Sequence, residues 1–184
     1  MRVGLSYNVK PTDPPAHLPE DAFEEYDSEA TVGHLCNALS ALGRDVVRLG
    51  AGPGIIDALA RARPEIVFNI AEGEGGRCRE AHVPALLELL RIPYVGSDPL
   101  TLCVTLDKPV AKRLVASGGF PTPRFHTFRS ADAFTDAGLA YPVIVKPAFE
   151  GSSKGVRLSS RAATPAQARE MVAFVTGTYR QDAI

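Results

Sequence analysis

The clearest candidate for chemistry is a lysine that follows an apolar strand and precedes a loop of glycines and serines. Residues 141–146 read Tyr-Pro-Val-Ile-Val-Lys, and residues 150–155 read Glu-Gly-Ser-Ser-Lys-Gly. Such a loop can turn backbone N–H groups and serine hydroxyls toward phosphate oxygens, while Lys146 adds a charge-assisted contact of roughly 1.5–3 kcal/mol. The pattern predicts binding of a triphosphate. The alternative is a tight β-hairpin with a solvated tip, since glycine and serine are ordinary turn residues.

Two acidic segments are candidates for binding an amino group. Glu72 opens a Gly-rich loop, residues 72–79, directly after a predicted buried strand, where ligands of open α/β sheets gather. The acids and Arg77 of this loop could bind a zwitterion, and a mobile polar loop is an equal alternative. The second segment precedes the first predicted helix and contains Glu20, Asp21, Glu24, Glu25, Asp27 and Glu29. Most of these carboxylates favour the positive end of the helix dipole, and one of them could bind a substrate ammonium.

Neither the histidines nor the cysteines predict a metal site. The four histidines show no H-x-x-x-H or H-E-x-x-H spacing. Cys36, Cys78 and Cys103 contain no C-x-x-C pair, so neither a zinc site nor a disulfide framework is supported. We expect three buried, reduced thiols and no metal ligand in this chain.

The composition argues against several classes of protein. The chain has 184 residues with 20 Lys plus Arg against 21 Asp plus Glu, and this net charge of −1 argues against a general nucleic-acid binder. No stretch approaches the ~20 apolar residues of a membrane span. The apolar start breaks at Asn8, too early for a signal peptide. We expect a cytoplasmic, soluble protein with no nucleic-acid or membrane partner.

The elements that must position these residues alternate between short β-branched runs and helical patterns, which predicts parallel βαβ construction. Residues 1–119 are predicted to form a Rossmann-like domain. Its predicted strands cover residues 3–7, 45–49, 64–70 and 92–95. Its first predicted helix is capped by Ser28 or Asp27 and ends at Gly43. Two further helices are predicted over residues 55–62 and 80–90, and a fourth is capped by Asp107 and continues through Val115. No G-x-G-x-x-G follows the first strand, which argues against a dinucleotide-dependent oxidoreductase.

Residues 120–123, Phe-Pro-Thr-Pro, predict a stiff connector, so we place a second domain at residues 120–184. Its predicted strands cover residues 125–128, 142–146 and 156–159, and its predicted helices cover residues 131–137 and 165–175. Residues 181–184 are typical of the opening of a strand. A region of about sixty residues is small for a self-sufficient domain, so we expect this chain to be part of a longer protein.

In order and spacing these motifs resemble the D-alanine–D-alanine ligases of the ATP-grasp superfamily. The resemblance rests on Asn69, on residues 86–97 (LLELLRIPYVGS), on Leu106-Asp107-Lys108, on residues 120–123, and on residues 143–147 with 150–153. It covers most of the chain and is weakest before Gly43. It implies an α/β fold in which a Rossmann-like parallel-sheet domain precedes an α+β ATP-grasp subdomain, with the C-terminal catalytic subdomain absent.

The resemblance also implies a reaction. In this family ATP phosphorylates the carboxylate of one D-alanine, and the amine of a second D-alanine attacks the acyl phosphate, which yields a dipeptide for peptidoglycan synthesis. Lys108 and Lys146 match the lysines that contact the ATP phosphates. The loop that closes over the phosphates is matched by Glu150, Gly151, Ser152, Ser153 and Gly155. Ser152 is implied to position the first amino acid, and Glu24 to bind its ammonium, with Glu25 or Glu29 as alternatives.

One residue departs from the family pattern. Glu72 stands where the family has a histidine before a glycine, and an acid there could change the preferred amino acid or acceptor. Two alternatives therefore stay open beside the D-alanine reaction. One is a ligase of the same family for another amino or hydroxy acid, and the other is a non-catalytic nucleotide-binding remnant.

The family's third domain supplies the adenine-binding strand, a catalytic arginine and the Mg²⁺ ligands, and this chain has no match to it. Phosphoryl transfer from ATP needs carboxylates for the metal, and the only acids after Glu150 are Glu170 and Asp182. We expect these residues alone to be inactive, either as a truncated ligase or as one completed by a separate chain, and the family implies a possible homodimer. Steady ADP release above that of a Lys146→Ala variant would contradict this expectation.

Overall fold

The computed structural model of the protein describes residues 1–136 and 138–184. Contacts between Cα atoms divide the chain into two compact units. The first contains Met1–Pro15 and Phe23–Cys103, and the second contains Ala16–Ala22 and Val104–Ile184. The contacts thus group residues 104–119 with the second unit, whereas the sequence places the domain boundary at residues 119/120. The assignment of residues 1–119 and 120–184 as domains stays a prediction.

The first unit is built on a parallel sheet, as the alternating pattern predicts. Within the described residues its four strands are β1 (Arg2–Tyr7), β2 (Asp45–Arg48), β3 (Ile66–Ile70) and β4 (Tyr94–Val95). They lie in the order β2-β1-β3-β4. Val3 is paired with Val46 on one side and with Ile66 on the other. The strand predicted over residues 92–95 is shorter than expected and retains only its last two residues.

The helices of the first unit begin at recognisable caps. Helix α1 (Glu29–Ala41) starts after Ser28, whose Oγ accepts the N–H of Thr31 at 3.0 Å. Helix α2 spans Ile55–Ala62, and α3 (His82–Leu89) follows a 3₁₀ turn over Arg79–Ala81. Helix α4 (Pro99–Leu106) was not predicted, although Asp98 accepts the N–H of Thr101 at 2.9 Å and Pro99 takes the first helical position. The overlooked signal was therefore the Asp-Pro pair.

Apolar side chains between the sheet and the helices form the core of the first unit. Leu59 of α2, Val67 of β3 and Leu87 of α3 are almost fully buried and belong to one cluster. The thiols do not join this core as predicted, because Cys36 and Cys103 are half-buried and Cys78 is exposed. All three are free. No helix in the described part of the chain is long and apolar enough to cross a bilayer.

The second unit contains helix α5 (Lys108–Ser117), a two-stranded antiparallel sheet of β5 (Val143–Ile144) and β6 (Arg161–Ala162), and helix α6 (Pro165–Tyr179). Asp107 caps α5 as predicted, since its Oδ1 accepts the N–H of Val110 at 3.0 Å. Helix α6 starts at the predicted Pro165 but continues to Tyr179, four residues beyond the predicted end. Its inner face, Ala168, Val172 and Val175, packs with Val145 and Phe128.

Three predictions for the second unit are wrong in detail. The helix predicted over residues 131–137 is only a 3₁₀ turn over Ala131–Ala133, and its predicted last residue, Ala137, lies outside the described residues. The strand predicted over residues 156–159 gives way to a 3₁₀ turn over Leu158–Ser160. There the Ser160 hydroxyl accepts the N–H of Arg157 at 2.9 Å, and such a bond competes with strand pairing. No strand forms among residues 125–128, where only Phe128 makes a single bridge.

The last residues of the chain form backbone hydrogen bonds like those at the start of a β-strand. Ala183 and Phe128 exchange two backbone hydrogen bonds of 2.9 Å. Ile184 and Lys146 likewise exchange bonds of 2.9 and 3.0 Å. Residues 182–184 therefore lie between two segments of the second unit and fix the backbone of Lys146.

Candidate functional site

The first candidate site lies at the carboxyl edge of the parallel sheet. Strands β1 and β3 are neighbours that end at Tyr7 and Ile70, so the residues that follow them meet there. The side-chain oxygen of Asn8 accepts the N–H groups of Glu72 and Gly73 at 3.0 and 2.9 Å. Because β1 has β2 on one side and β3 on the other, this edge is where the strand order reverses and where open α/β sheets place their ligands.

Glu25 and Arg79 form a buried ion pair in the first unit. Nη2 of Arg79 lies 2.6 and 2.8 Å from the two carboxylate oxygens of Glu25, and the side chains are only 8% and 3% exposed. Gly73 allows the backbone to pass close by, because a Cβ on Gly73 would overlap the carbonyl oxygen of Arg79, and its φ is +73°. The sequence analysis did not identify Arg79. It pointed instead to Arg77, which is exposed.

Glu72 shares this edge with two other carboxylates. Ligand oxygens of Glu25, Glu72 and Glu80 lie within 4.8 Å of one another. Burial, followed by the charges of Glu80 and Glu25, raises the pKa of Glu72 to about 7, while Arg79 opposes the shift. The three carboxylates could hold a cation, a possibility that the sequence analysis missed. An acidic cluster does not by itself define a metal site, and an ammonium group is an equal fit.

The raised pKa of Glu72 predicts a pH-dependent stability. Between an unfolded pKa near 4.5 and a folded pKa of about 7, the folded protein binds more protons than the unfolded chain. The free energy of unfolding of the wild type therefore falls as the pH rises through this range. We expect the free energy of unfolding of Glu72→Gln to be within about 0.5 kcal/mol of the wild-type value at pH 5 and roughly 1–2 kcal/mol above it at pH 8. This range is smaller than the full pKa shift implies, because solvent screens the charge of a half-exposed group.

Urea unfolding of the two proteins between pH 5 and pH 8 measures this difference. Glu74→Gln is the matched control, because Glu74 lies in the same loop and is exposed. The control is expected to follow the wild type at every pH. If the free energies of unfolding of Glu72→Gln and the wild type differed by the same amount at every pH, the raised pKa of Glu72 would be contradicted.

The other predicted carboxylates of the first unit lie in different surroundings. Glu24 is exposed, and its Oε2 lies 3.5 Å from Nζ of Lys10. Glu29 is also exposed and pairs with Arg48 at 2.5 Å. Glu25, which the sequence analysis kept as an alternative to Glu24, lies beside Glu72. The predicted role of Glu24 in binding an ammonium stays a prediction.

The second candidate site is a cavity of about 710 Å³ in the second unit. Its walls combine apolar side chains, among them Val145 and Val172, with basic ones. The basic residues that line it are Lys108, Lys112, Arg124, His126 and Lys146. No acidic side chain is among the described residues that line the cavity. The two lysines predicted from the sequence are thus brought to one cavity, and its charge favours an anionic ligand.

The predicted phosphate loop begins where Lys108 meets Glu150. The backbone N–H of Lys108 donates to the carbonyl of Ala148 at 3.1 Å, and its ammonium donates to the carbonyl of Glu150. The Glu150 carboxylate accepts bonds from Lys154 at 3.0 Å and Gln181 at 2.6 Å. Glu150 therefore organises the start of the loop through contacts with protein groups.

The tip of the loop is exposed and has an unusual backbone. Ser152 and Ser153 have φ values of 44° and 61°, which non-glycine residues rarely adopt. Such conformations concentrate at ligand-binding sites, where the surrounding structure maintains them. Both serines are exposed, and none of the described residues 150–155 lines the cavity. Whether the loop contacts a phosphate stays a prediction.

The end of the loop is fixed by an aspartate far away in the sequence. Gly155 donates its N–H to Oδ2 of Asp21 at 2.8 Å, and the hydroxyl of Tyr179 donates to the same carboxylate at 2.8 Å. Burial and the contact with Asp21 raise the pKa of Tyr179 to about 12. Gly155 has a φ of +73°, and a Cβ there would overlap the side chain of Pro147. The sequence analysis placed Asp21 only among the acidic residues that precede the first helix.

Several known proteins are similar to this chain in sequence or in fold. No family model matches the chain. An uncharacterized protein, y4sG, of Sinorhizobium fredii (strain NBRC 101917 / NGR234) is 37% identical over 155 residues, or 80% of this chain and 45% of that protein. The D-alanine–D-alanine ligase of Caulobacter vibrioides is 39% identical over 119 residues, or 65% of this chain and 36% of the ligase. The crystal structure of D-alanine–D-alanine ligase from Bacillus anthracis complexed with ATP gives a TM-score of 0.72 at 18% identity, covering 100% of this chain and 57% of that chain.

The chain is therefore an α/β protein with the fold found in D-alanine–D-alanine ligase structures. At the level of sequence, the resemblance to the D-alanine–D-alanine ligase family is confirmed by relatives at 33–39% identity over part of the chain. The chain spans about half the length of the relatives that it matches, between 36% and 57% in these three cases.

Proposed function

We propose that the protein is an ATP-dependent carboxylate–amine ligase that forms a dipeptide in the manner of the D-alanine–D-alanine ligases. The observation that carries this proposal is the basic cavity of the second unit, where Lys108 and Lys146 lie together. Its cationic lining fits a polyphosphate, and its apolar walls fit a less polar part of the same ligand. The ATP complex of the Bacillus anthracis ligase supports the choice of ATP.

In the proposed reaction a carboxylate oxygen of the first amino acid attacks the γ-phosphorus of ATP, and ADP leaves. The amine of the second amino acid then attacks the acyl carbon, loses a proton, and expels inorganic phosphate. Lys146 holds phosphate oxygens through charge-assisted hydrogen bonds. The N–H group of Gly151 and the hydroxyls of Ser152 and Ser153 shield the phosphates from water when the loop covers them, and Ser152 also positions the first amino acid. Gly155, whose N–H donates to Asp21, fixes the end of this loop.

Glu72 or Glu24 binds the ammonium of the first substrate in this proposal. Mg²⁺ neutralises phosphate oxygens in phosphoryl transfer when it is bound. We expect its ligands in the part of the relatives' length that this chain does not span. The same proposal includes a dipeptide product that is used for peptidoglycan precursors and a cytoplasmic location. It also includes assembly as a homodimer and a separate chain that supplies the missing domain.

The complete protein, incubated with ATP, Mg²⁺ and D-alanine, is expected to release ADP and dipeptide in equal amounts. Coupled ADP detection and mass spectrometry of the product measure both. ADP release that does not depend on any amino or hydroxy acid would contradict the ligase proposal. ATP binding without any release would favour the nucleotide-binding remnant instead.

Glu72 favours one alternative within this proposal, a different amino or hydroxy acid as substrate. It stands where the family has a histidine, and it adds a third carboxylate beside Glu25 and Glu80. A panel of D-alanine, D-serine, D-lactate and larger D-amino acids, each assayed at the same concentration, separates the two substrate choices. If Glu72 sets the preference, Glu72→His changes the ranking within the panel and Glu74→His does not.

A further inference from the structure

A third lysine shares the basic cavity with the two that the sequence predicted. Lys112 lies four residues after Lys108 on α5, so both side chains project from the same face of the helix. Lys108, Lys112 and Lys146 all line the cavity. Nothing in the sequence analysis or the proposed function uses Lys112.

The side chain of Lys112 is held in place by neutral groups. Its Nζ donates to the hydroxyl of Thr122 at 2.6 Å and lies 5.2 Å from the centre of the Phe125 ring. A hydroxyl and an aromatic face orient an ammonium without neutralising its charge. Since an ammonium has three N–H donors, Lys112 keeps donors for a ligand.

Lys112 shares the cavity wall with the ammonium of Lys146. Burial, and next to it the charge of Lys146, lower the pKa of Lys112. In the described part of the chain, no carboxylate forms an ion pair with Lys112 or Lys146. No acidic side chain is among the described residues of the cavity wall, so two ammonium groups that repel each other there are stabilised when an anion lies between them.

Lys108 differs from these two lysines in its surroundings. Its ammonium already donates to the carbonyl of Glu150, and its backbone N–H donates to the carbonyl of Ala148. These contacts tie α5 to the start of the loop. Lys108 therefore has a role in positioning the loop, while Lys112 and Lys146 face the cavity without a carboxylate partner in the described chain.

We propose that Lys112 is a phosphate-binding residue of this cavity and that, with Lys146, it binds the polyphosphate of a nucleotide. The inference rests on the proposed function in taking ATP as that nucleotide, but the anion site itself depends only on the geometry of the second unit. Thr122 and Phe125 orient the ammonium of Lys112 toward the ligand. Lys108 adds to the positive charge of the wall and fixes the loop.

The test is nucleotide binding to the complete protein, measured by calorimetry for ATP, adenosine and inorganic tripolyphosphate. We expect Lys112→Met to weaken ATP and tripolyphosphate binding at least about 10-fold, since a charge-assisted hydrogen bond is lost. Adenosine binding is expected to stay within about two-fold of the wild type. Lys112→Arg keeps the charge and is expected to retain most of the affinity.

Arg113→Met is the matched control. Arg113 is the next residue on α5 and also lies over the Phe125 ring, at 5.9 Å, but it is exposed and is not among the residues that line the cavity. This variant is expected to bind ATP as the wild type does. Circular dichroism and thermal unfolding of each variant show whether it is folded.

The outcomes separate this inference from the proposed function. If the wild type binds ATP and folded Lys112→Met binds it equally well, or loses adenosine as strongly as ATP, the role of Lys112 is wrong and the ligase proposal stands. If the wild type binds tripolyphosphate in a Lys112-dependent way but no ATP, the anion site stands and the choice of nucleotide fails. If the wild type binds neither, both are overturned.

Discussion

Replacing Lys146 by alanine is expected to weaken ATP binding by the complete protein by about 10- to 100-fold. The backbone of Lys146 is held by two hydrogen bonds with Ile184, and its side chain lines the basic cavity. Its ammonium has no carboxylate partner in the described chain, so its charge is available to a ligand. Loss of one charge-assisted hydrogen bond of roughly 1.5–3 kcal/mol corresponds to a change of this size.

Calorimetric titration with ATP measures the change, and Arg161→Ala is the control. Arg161 is an exposed cation on β6, the strand that pairs with β5, and its removal changes the net charge by the same amount. We expect this control to bind ATP within about two-fold of the wild type. Equal affinities of Lys146→Ala and Arg161→Ala would contradict a direct contact between Lys146 and ATP.

Arg79→Ala is expected to reduce the free energy of unfolding by about 3–5 kcal/mol. The guanidinium of Arg79 binds both oxygens of the Glu25 carboxylate, and the pair is almost fully buried. Removal of the arginine leaves a buried carboxylate without its main partner, beside Glu72 and Glu80. Such an uncompensated charge destabilises more than the pair itself stabilises.

Urea unfolding with linear extrapolation measures this effect. Arg77→Ala, an exposed arginine of the same loop, is expected to stay within about 0.5 kcal/mol of the wild type. The double variant Arg79→Met with Glu25→Gln removes both charges and is expected to recover much of the loss. A loss below about 1 kcal/mol in Arg79→Ala would show that solvent or other residues compensate Glu25.

Local patterns in the sequence predicted the parallel sheet and Lys146, and the resemblance to a known family added Lys108. The apolar runs that became β1 and β3 were expected as strands, and Ser28 and Asp107 cap the helices that were expected to begin there. Lys146 lies two residues after β5, and it lines the same cavity as Lys108. Such signals are contained within a few residues and can be read without knowledge of long-range contacts.

The residues that sequence reasoning missed depend on contacts between distant positions. Glu25 and Arg79 are 54 residues apart, and neither is distinguished from its acidic or basic neighbours by spacing alone. Asp21 and Gly155 are 134 residues apart. Lys112 has an ordinary helical position, and only the fold shows that it lines the same cavity as Lys146. The strand predicted over residues 156–159 failed for a local reason instead, because the Ser160 hydroxyl accepts the N–H of Arg157 and a 3₁₀ turn forms over Leu158–Ser160.

The central claim is that the complete protein couples ATP cleavage to the joining of a carboxylate with an amine. The most direct test is to trace an oxygen atom of the substrate carboxylate into the phosphate that is released. An amino acid substrate with both carboxylate oxygens labelled with oxygen-18 is incubated with ATP and the protein, and the released phosphate is analysed by mass spectrometry. The proposed reaction transfers one labelled oxygen to each phosphate released, in step with the dipeptide. Phosphate that carries no label, although ATP is consumed, would contradict the claim.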